Sequence, residues 1–242
     1  VKNSRVVETA GGLVIIAAGS ASQLLNSVIK NTGSISANSV VNSGGQVFLQ
    51  ASALSNSGSI TANGQQNGGS ISLLADGIQL LSGSSIQARS SNGNGGTINI
   101  GANNVKVAPA GSIASQTPSF LASTVTLDSN SSIDASAGAT GNGGTINILS
   151  ALKATIAGVI NAIGGTVAGN GGAILTGSQG SLEVLAGTSV NAGASNGKNG
   201  TWTLLNPTGL NVDTATANAI SNALTTTNVT LTTNQTGCAY FG

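Results

Sequence analysis

The chain has 242 residues, of which 5% are charged, 2% aromatic and 39% hydrophobic, with 36 glycines and a net charge of +1. An ordinary domain is about 25% charged, and disorder goes with few hydrophobes and high net charge, so the composition points to a folded chain kept soluble by Ser, Thr, Asn and Gln. The seven basic residues run from Lys2 to Lys198 without clustering, which excludes nucleic-acid binding through a Lys/Arg patch, and no apolar run reaches the ~18 residues of a membrane span.

The chain opens at Val1 with no signal peptide in view and reads as a mature or excised piece of something larger. Its first apolar run, residues 13–18, has the length of a strand. That run belongs to a motif of Gly-Gly, any residue, then alternating aliphatics, first seen in Gly11-Gly12-Leu13-Val14-Ile15-Ile16. The motif returns as Gly44-Gly45-Gln46-Val47-Phe48-Leu49, Gly68-Gly69-Ser70-Ile71-Ser72-Leu73 and Gly95-Gly96-Thr97-Ile98-Asn99-Ile100. Thr124-Val125-Thr126-Leu127 follows without the glycines, then Gly143-Gly144-Thr145-Ile146-Asn147-Ile148, Gly171-Gly172-Ala173-Ile174 and Gly200-Thr201-Trp202-Thr203-Leu204. The aliphatic anchors fall at 14, 47, 71, 98, 125, 146, 174 and 202.

A second motif interleaves with the first: Gly33-Ser34-Ile35-Ser36-Ala37 and Gly58-Ser59-Ile60-Thr61-Ala62, with relatives centred on Ile86, Ile113, Ile133, Ile160 and Val190. A third set of short alternations lies between them, as in Ile78-Gln79-Leu80, Val105-Lys106-Val107 and Leu182-Glu183-Val184. Period-two alternation buries one face of each strand, but a face of two or three aliphatics forms no core alone. Stacking each repeat on the next does bury it. The expectation is therefore an all-β, right-handed parallel β-helix of about three short strands per coil and roughly nine or ten coils over residues 1–207. Gly-Gly would supply positive φ at its corners, and Asn and Ser/Thr would stack in ladders.

After Pro207 the rhythm changes. Ala215, Ala219, Ile220, Ala223 and Leu224 fall at helical spacing and Val229-Thr230-Leu231 reads as a strand, so residues 208–242 are expected to be an irregular C-terminal extension with a short helix and a strand. A continued irregular coil is the competing reading.

The order of motifs resembles the filamentous haemagglutinin family of large secreted exoproteins. In the second half, Ser132-Ile133-Asp134-Ala135-Ser136-Ala137 leads to Gly141-Asn142-Gly143-Gly144-Thr145-Ile146. Val190-Asn191-Ala192-Gly193 then leads to Gly200-Thr201-Trp202-Thr203-Leu204-Leu205-Asn206-Pro207. Family members carry Gly-Thr-Trp-Leu-Leu-Asp-Pro there, so Thr203 and Asn206 depart from the pattern. In the first half Asn31-Thr32-Gly33-Ser34-Ile35-Ser36-Ala37 and Asn56-Ser57-Gly58-Ser59-Ile60-Thr61-Ala62 carry the match, which covers residues 10–232. The resemblance implies a bacterial protein exported through an outer-membrane partner pore to the cell surface or the medium, with a role in adhesion, aggregation or biofilm. The family's secretion domain is not recognisable here.

Chemistry is scarce. The only acids are Glu8, Asp76, Asp128, Asp134, Glu183 and Asp213, and there is no His. Asp128 and Asp134 could approach across a turn, but two solvated turn carboxylates explain them as well. No enzyme, metal or cofactor is expected. Gly93-Asn94-Gly95-Gly96-Thr97 precedes a strand and carries no Lys, so it is no phosphate loop. Trp202, the only tryptophan, is a candidate for sugar stacking or a core residue at a repeat anchor. Phe120 is the second candidate ligand contact, at the end of residues 109–120, where two prolines disturb the rhythm. Cys238 is the single thiol and the candidate for pairing between chains. Expected partners are other copies stacked end to end, the rest of a longer solenoid, and host or matrix glycans.

Overall fold

The computed structural model describes residues 1–18, 27–103 and 120–233. They form an all-β solenoid of parallel strands in a twelve-stranded and a seven-stranded sheet. Each coil contributes three strand positions, and the three sequence motifs occupy one position each.

The Gly-Gly motif builds the first face. Leu13–Ala17, the start of Gln46–Asn56, the start of Ser70–Leu80, Thr97–Ile100, the start of Thr145–Ile156, Ala173–Ser178, Thr201–Leu205 and Asn228–Thr232 stack there in register. Their second residues form one inward column: Val14, Val47, Ile71, Ile98, Ile146, Ile174, Trp202 and Val229. The third motif set builds the second face, with Ile29, Leu54, Ile78, Val125, Ala154 and Leu182 as its column. The Ile-x-Ala motif builds the third face, a seven-stranded sheet of three-residue strands from Val6–Glu8 to Ser189–Asn191. Ile35, Ile60, Ile86, Ile133 and Ile160 are stacked there at 0% exposure. Three inward columns thus merge into one continuous core.

Seven turns, rather than nine or ten, make a stack about 34 Å tall at ~4.8 Å per turn. One coil of the excess in the sequence count has a definite source. Ala122–Leu127 does not extend the Gly-Gly column but lies on the second face, between residues 77–80 and 153–156. Thr97–Ile100 stacks directly on residues 145–148, so residues 97–144 make one long coil where the rhythm suggested two. In this coil the described residues on either side of 104–119 come together as a neck. The neck is tied by an antiparallel Ala102–Leu121 bridge and by the Phe120 N–H donating to Asn103 Oδ1 at 2.9 Å. The sequence motifs at Val105-Lys106-Val107 and Ile113 lie outside the described residues.

The Gly-Gly pairs also work differently from the expectation. Of these pairs only Gly11 has positive φ, at 69°; what the others provide is closeness. The second glycine donates its N–H to the alanine of the Ile-x-Ala motif in the same coil, as in Gly45 to Ala37, Gly96 to Ala88 and Gly200 to Ala192, each at 2.7 Å. A Cβ on Gly96 would sit 2.9 Å from Ala88 Cβ and closer still to the carbonyl oxygen of Gly69 in the coil below. The two motifs recur in step because this bond joins them at one corner.

Polar ladders line this corner and the one between the second and third faces. Asn3 donates to Asn31 at 2.8 Å, Asn31 to Asn56 at 2.6 Å, and Asn56 to the Ser84 hydroxyl at 2.6 Å, so these inward amides are satisfied where the core is buried. Before the Gly-Gly pairs, the side-chain oxygens of Asn67, Asn94, Asn142 and Asn170 accept from the backbone N–H of Asn94, Asn142, Asn170 and Lys198 at 2.7–3.0 Å. The recurrent Asn-Gly-Gly therefore has a stacking reason.

Beyond Pro207 a helix, Thr214–Ala223, starts at Asp213, whose carboxylate accepts the Thr216 N–H at 2.8 Å. It lies against the last strands of the second and third faces, Ser181–Val184 and Ser189–Asn191. Ala219 and Ala223 join the core. Asn228–Thr232 then adds a final strand to the first face.

Candidate functional site

The corner between the third and first faces carries a connection in every coil that varies in sequence and length: residues 38–43, 63–67, 89–94, 136–142 and 163–170. Loops held by a rigid frame are where binding residues concentrate. A notch of about 300 Å³ opens at this corner, lined by Asn63, Gly64, Gln87, Arg89, Ser90, Ser91 and Gly138 from three successive coils.

Strand alternation builds it. Ile86 and Ala88 point into the core, so Gln87 and Arg89 point out. Register puts Gln87 beside Asp134 of the next coil. The Asp134 carboxylate takes the Arg89 Nε at 3.2 Å and the Ser136 N–H at 2.9 Å. Asn63 receives the Arg89 backbone N–H at 2.8 Å and donates to Gln87 Oε1 at 3.3 Å. Outside its ion pair with Asp134, the Arg89 terminal nitrogens make no hydrogen bond among the described residues. An exposed pair of this kind contributes only about 0–1 kcal/mol to stability, so it orients the guanidinium more than it holds the fold.

The notch was missed in the sequence, although a signal was present. Arg5 and Arg89 are the only arginines, and Arg89 follows the motif alanine where the adjacent coils have Asn63 and Ser136. Asp134 likewise stands in a row with Glu8, Ser36, Thr61, Gln87, Asn161 and Asn191, where its four nearest neighbours along the row are uncharged.

The residues singled out from the sequence are placed elsewhere. Trp202 is fully buried at its anchor, and its indole N–H donates to the Thr176 hydroxyl at 3.0 Å. It presents no face on which a sugar could stack, and its placement is that of a core residue. Phe120 is half-buried against the core beside the neck of the long coil. The rest of residues 109–120 and Cys238 lie outside the described residues. Asp128 and Asp134 are engaged separately: the Asp128 carboxylate accepts the Ser82 N–H at 3.2 Å, while Asp134 holds Arg89 and Ser136. The carboxyl of Asp213 is held below the usual range by the backbone N–H of Thr216, with its hydroxyl second.

Among the described residues no three His, Cys, Asp or Glu side chains group as a metal site would need. No helix there is long and apolar enough to cross a membrane. No protein-family model matches the chain, and no curated protein matches it significantly.

Proposed function

We propose that the chain is a structural β-solenoid segment of a bacterial secreted or cell-surface adhesin or extracellular filament, acting in adhesion, aggregation or biofilm formation. The observation that carries this reading is the continuous core running through the described turns. Such a stack gives length and stiffness without needing a reaction centre. The order of motifs that resembles filamentous haemagglutinin-like exoproteins supports the same reading and the export route through an outer-membrane pore. The chain is read as non-catalytic, since Asp128 and Asp134 serve separate partners.

Self-association through strand edges is part of the proposal. The edges open to it are Lys2–Asn3, Val6–Glu8 and Leu13–Ala17 at one end. At the other end the helix covers two faces and leaves the edge of Asn228–Thr232.

A second reading, a glycan-contacting module on the fibre, is favoured by the polar notch at Arg89. To test the main reading, the segment is displayed on a non-adherent bacterium at a measured surface density. Increased attachment or aggregation over the carrier supports it; no increase at equal density contradicts it. Release of reducing ends from a polysaccharide panel would contradict the non-catalytic reading.

A further inference from the structure

We propose that the Arg89 notch is a subsite for a carboxylated saccharide, the carboxylate gripped by the two terminal nitrogens of Arg89 and sugar hydroxyls by Asn63 and Gln87. This deepens the glycan-contact reading and does not depend on adhesion by the fibre as a whole.

Four observations converge. The guanidinium meets Asp134 with its Nε at 3.2 Å, and outside this pair its terminal nitrogens make no hydrogen bond among the described residues, with the side chain half exposed. A planar fork of that kind matches a carboxylate in two parallel hydrogen bonds. The volume of about 300 Å³ sits at the small end of ligand pockets, the scale of one sugar unit rather than a long segment. The lining is polar side chains and glycine throughout, with amides at Asn63 and Gln87 to exchange hydrogen bonds with hydroxyls. An acidic peptide would want an apolar or aromatic anchor, and none lines the notch.

Asp134 sets the selectivity. Its carboxylate next to the guanidinium leaves the pair close to neutral, which suits a singly charged carboxylate among hydroxyls and disfavours a dianion such as sulfate. Gly64 and Gly138 keep the walls low. A Cβ on Gly138 would run into the backbone of Ser91, so that wall cannot be filled without moving a coil.

The test is a titration of the intact chain with a galacturonic acid trimer, a galactose trimer, triglutamate and inorganic sulfate, read by NMR at the side-chain amides of Asn63 and Gln87 and at Arg89 Nε. The uronate trimer is expected to shift these signals saturably, and the other three much less. R89K keeps the charge but loses the fork, and is expected to bind at least tenfold more weakly with an unchanged melting temperature. D134N is expected to bind the uronate more tightly and to lose discrimination against sulfate. Equal binding of the galactose trimer or triglutamate, wild-type affinity in R89K, or no saturable shift with the uronate would each overturn the proposal. None of these results would touch the attachment assay, so the two failures are distinguishable.

Discussion

Replacing Gly96 by alanine is the sharpest perturbation the stacking makes available. The added methyl would lie 2.9 Å from Ala88 Cβ and 2.8 Å from the Gly68 carbonyl carbon, and nearer still to the Gly69 oxygen, where ordinary contact begins at 3.4 Å. All of these belong to the backbone or to a side chain with no freedom to rotate away, so the coil itself must lift. Two hydrogen bonds stretch when it does: Gly96 N–H to Ala88 at 2.7 Å and Thr97 N–H to Gly69 at 2.9 Å. At about 1 kcal/mol each, with about 1–3 kcal/mol for overpacking, G96A is expected to lose about 3–5 kcal/mol. Gly77 is the internal control. It sits within the strand Ser70–Leu80, where a Cβ meets only the Thr124 hydroxyl oxygen at 3.6 Å. G77A is expected to range from no change to about 1 kcal/mol of stabilisation, because alanine restricts the unfolded chain. The assay is urea unfolding followed by far-UV circular dichroism, with hydrogen exchange at Thr97 and its neighbours to locate the damage, since repeat arrays unfold in parts. A loss below about 1 kcal/mol in G96A, or an equal loss in G77A, would refute the close-approach account.

Ile86 is fully buried between Ile60 and Ile133, so I86A should cost about 2–5 kcal/mol in chemical unfolding; a loss under 1 kcal/mol would mean the column is not packed. N56A removes the link between Asn31 and Ser84 and should cost about 1–3 kcal/mol, with faster exchange of the Asn31 side-chain amide protons. Asp213 gives a pH signature. Its folded pKa lies below the ordinary value, so its cap is fully present above the usual carboxylate range and is lost as pH falls through the folded value. The protection of the Thr216 amide, its exchange rate relative to the intrinsic rate at each pH, should therefore fall on acidification in the wild type and stay flat in D213N; equal profiles would contradict this.

Much of the architecture was legible because two motifs repeat in step. The Gly-Gly and Ile-x-Ala strands turned out to be two faces of each coil, and the short alternations between them the third. One coil of the error in coil number came from Val125 and Leu127. Period-two alternation says that a strand buries one side, but not which face of a coil it joins. Only the register against Ile78 and Ala154 settles that. The glycines were read through their dihedral freedom, a local property, whereas their role depends on a coil stacked ~4.8 Å away. Trp202 was legible as an anchor because it stands in the aliphatic column. The Arg89–Asp134 pair was not, because the long coil between Thr97 and Gly144 separates in sequence two side chains that neighbouring turns bring together.

The central claim, an in-register stack of seven turns, is tested most directly by one distance. Glu8, Ser36, Thr61, Gln87, Asp134 and Asn161 occupy one row across six successive turns. Nitroxides placed at positions 8 and 161 are separated by five steps of ~4.8 Å, about 24 Å between backbones. Pulsed dipolar spectroscopy is expected to give one narrow distribution near that value, broadened by the label arms. A distribution centred ~5 Å longer, as two coils in place of the long one would require, or a broad distribution from an unstacked chain, would contradict the account.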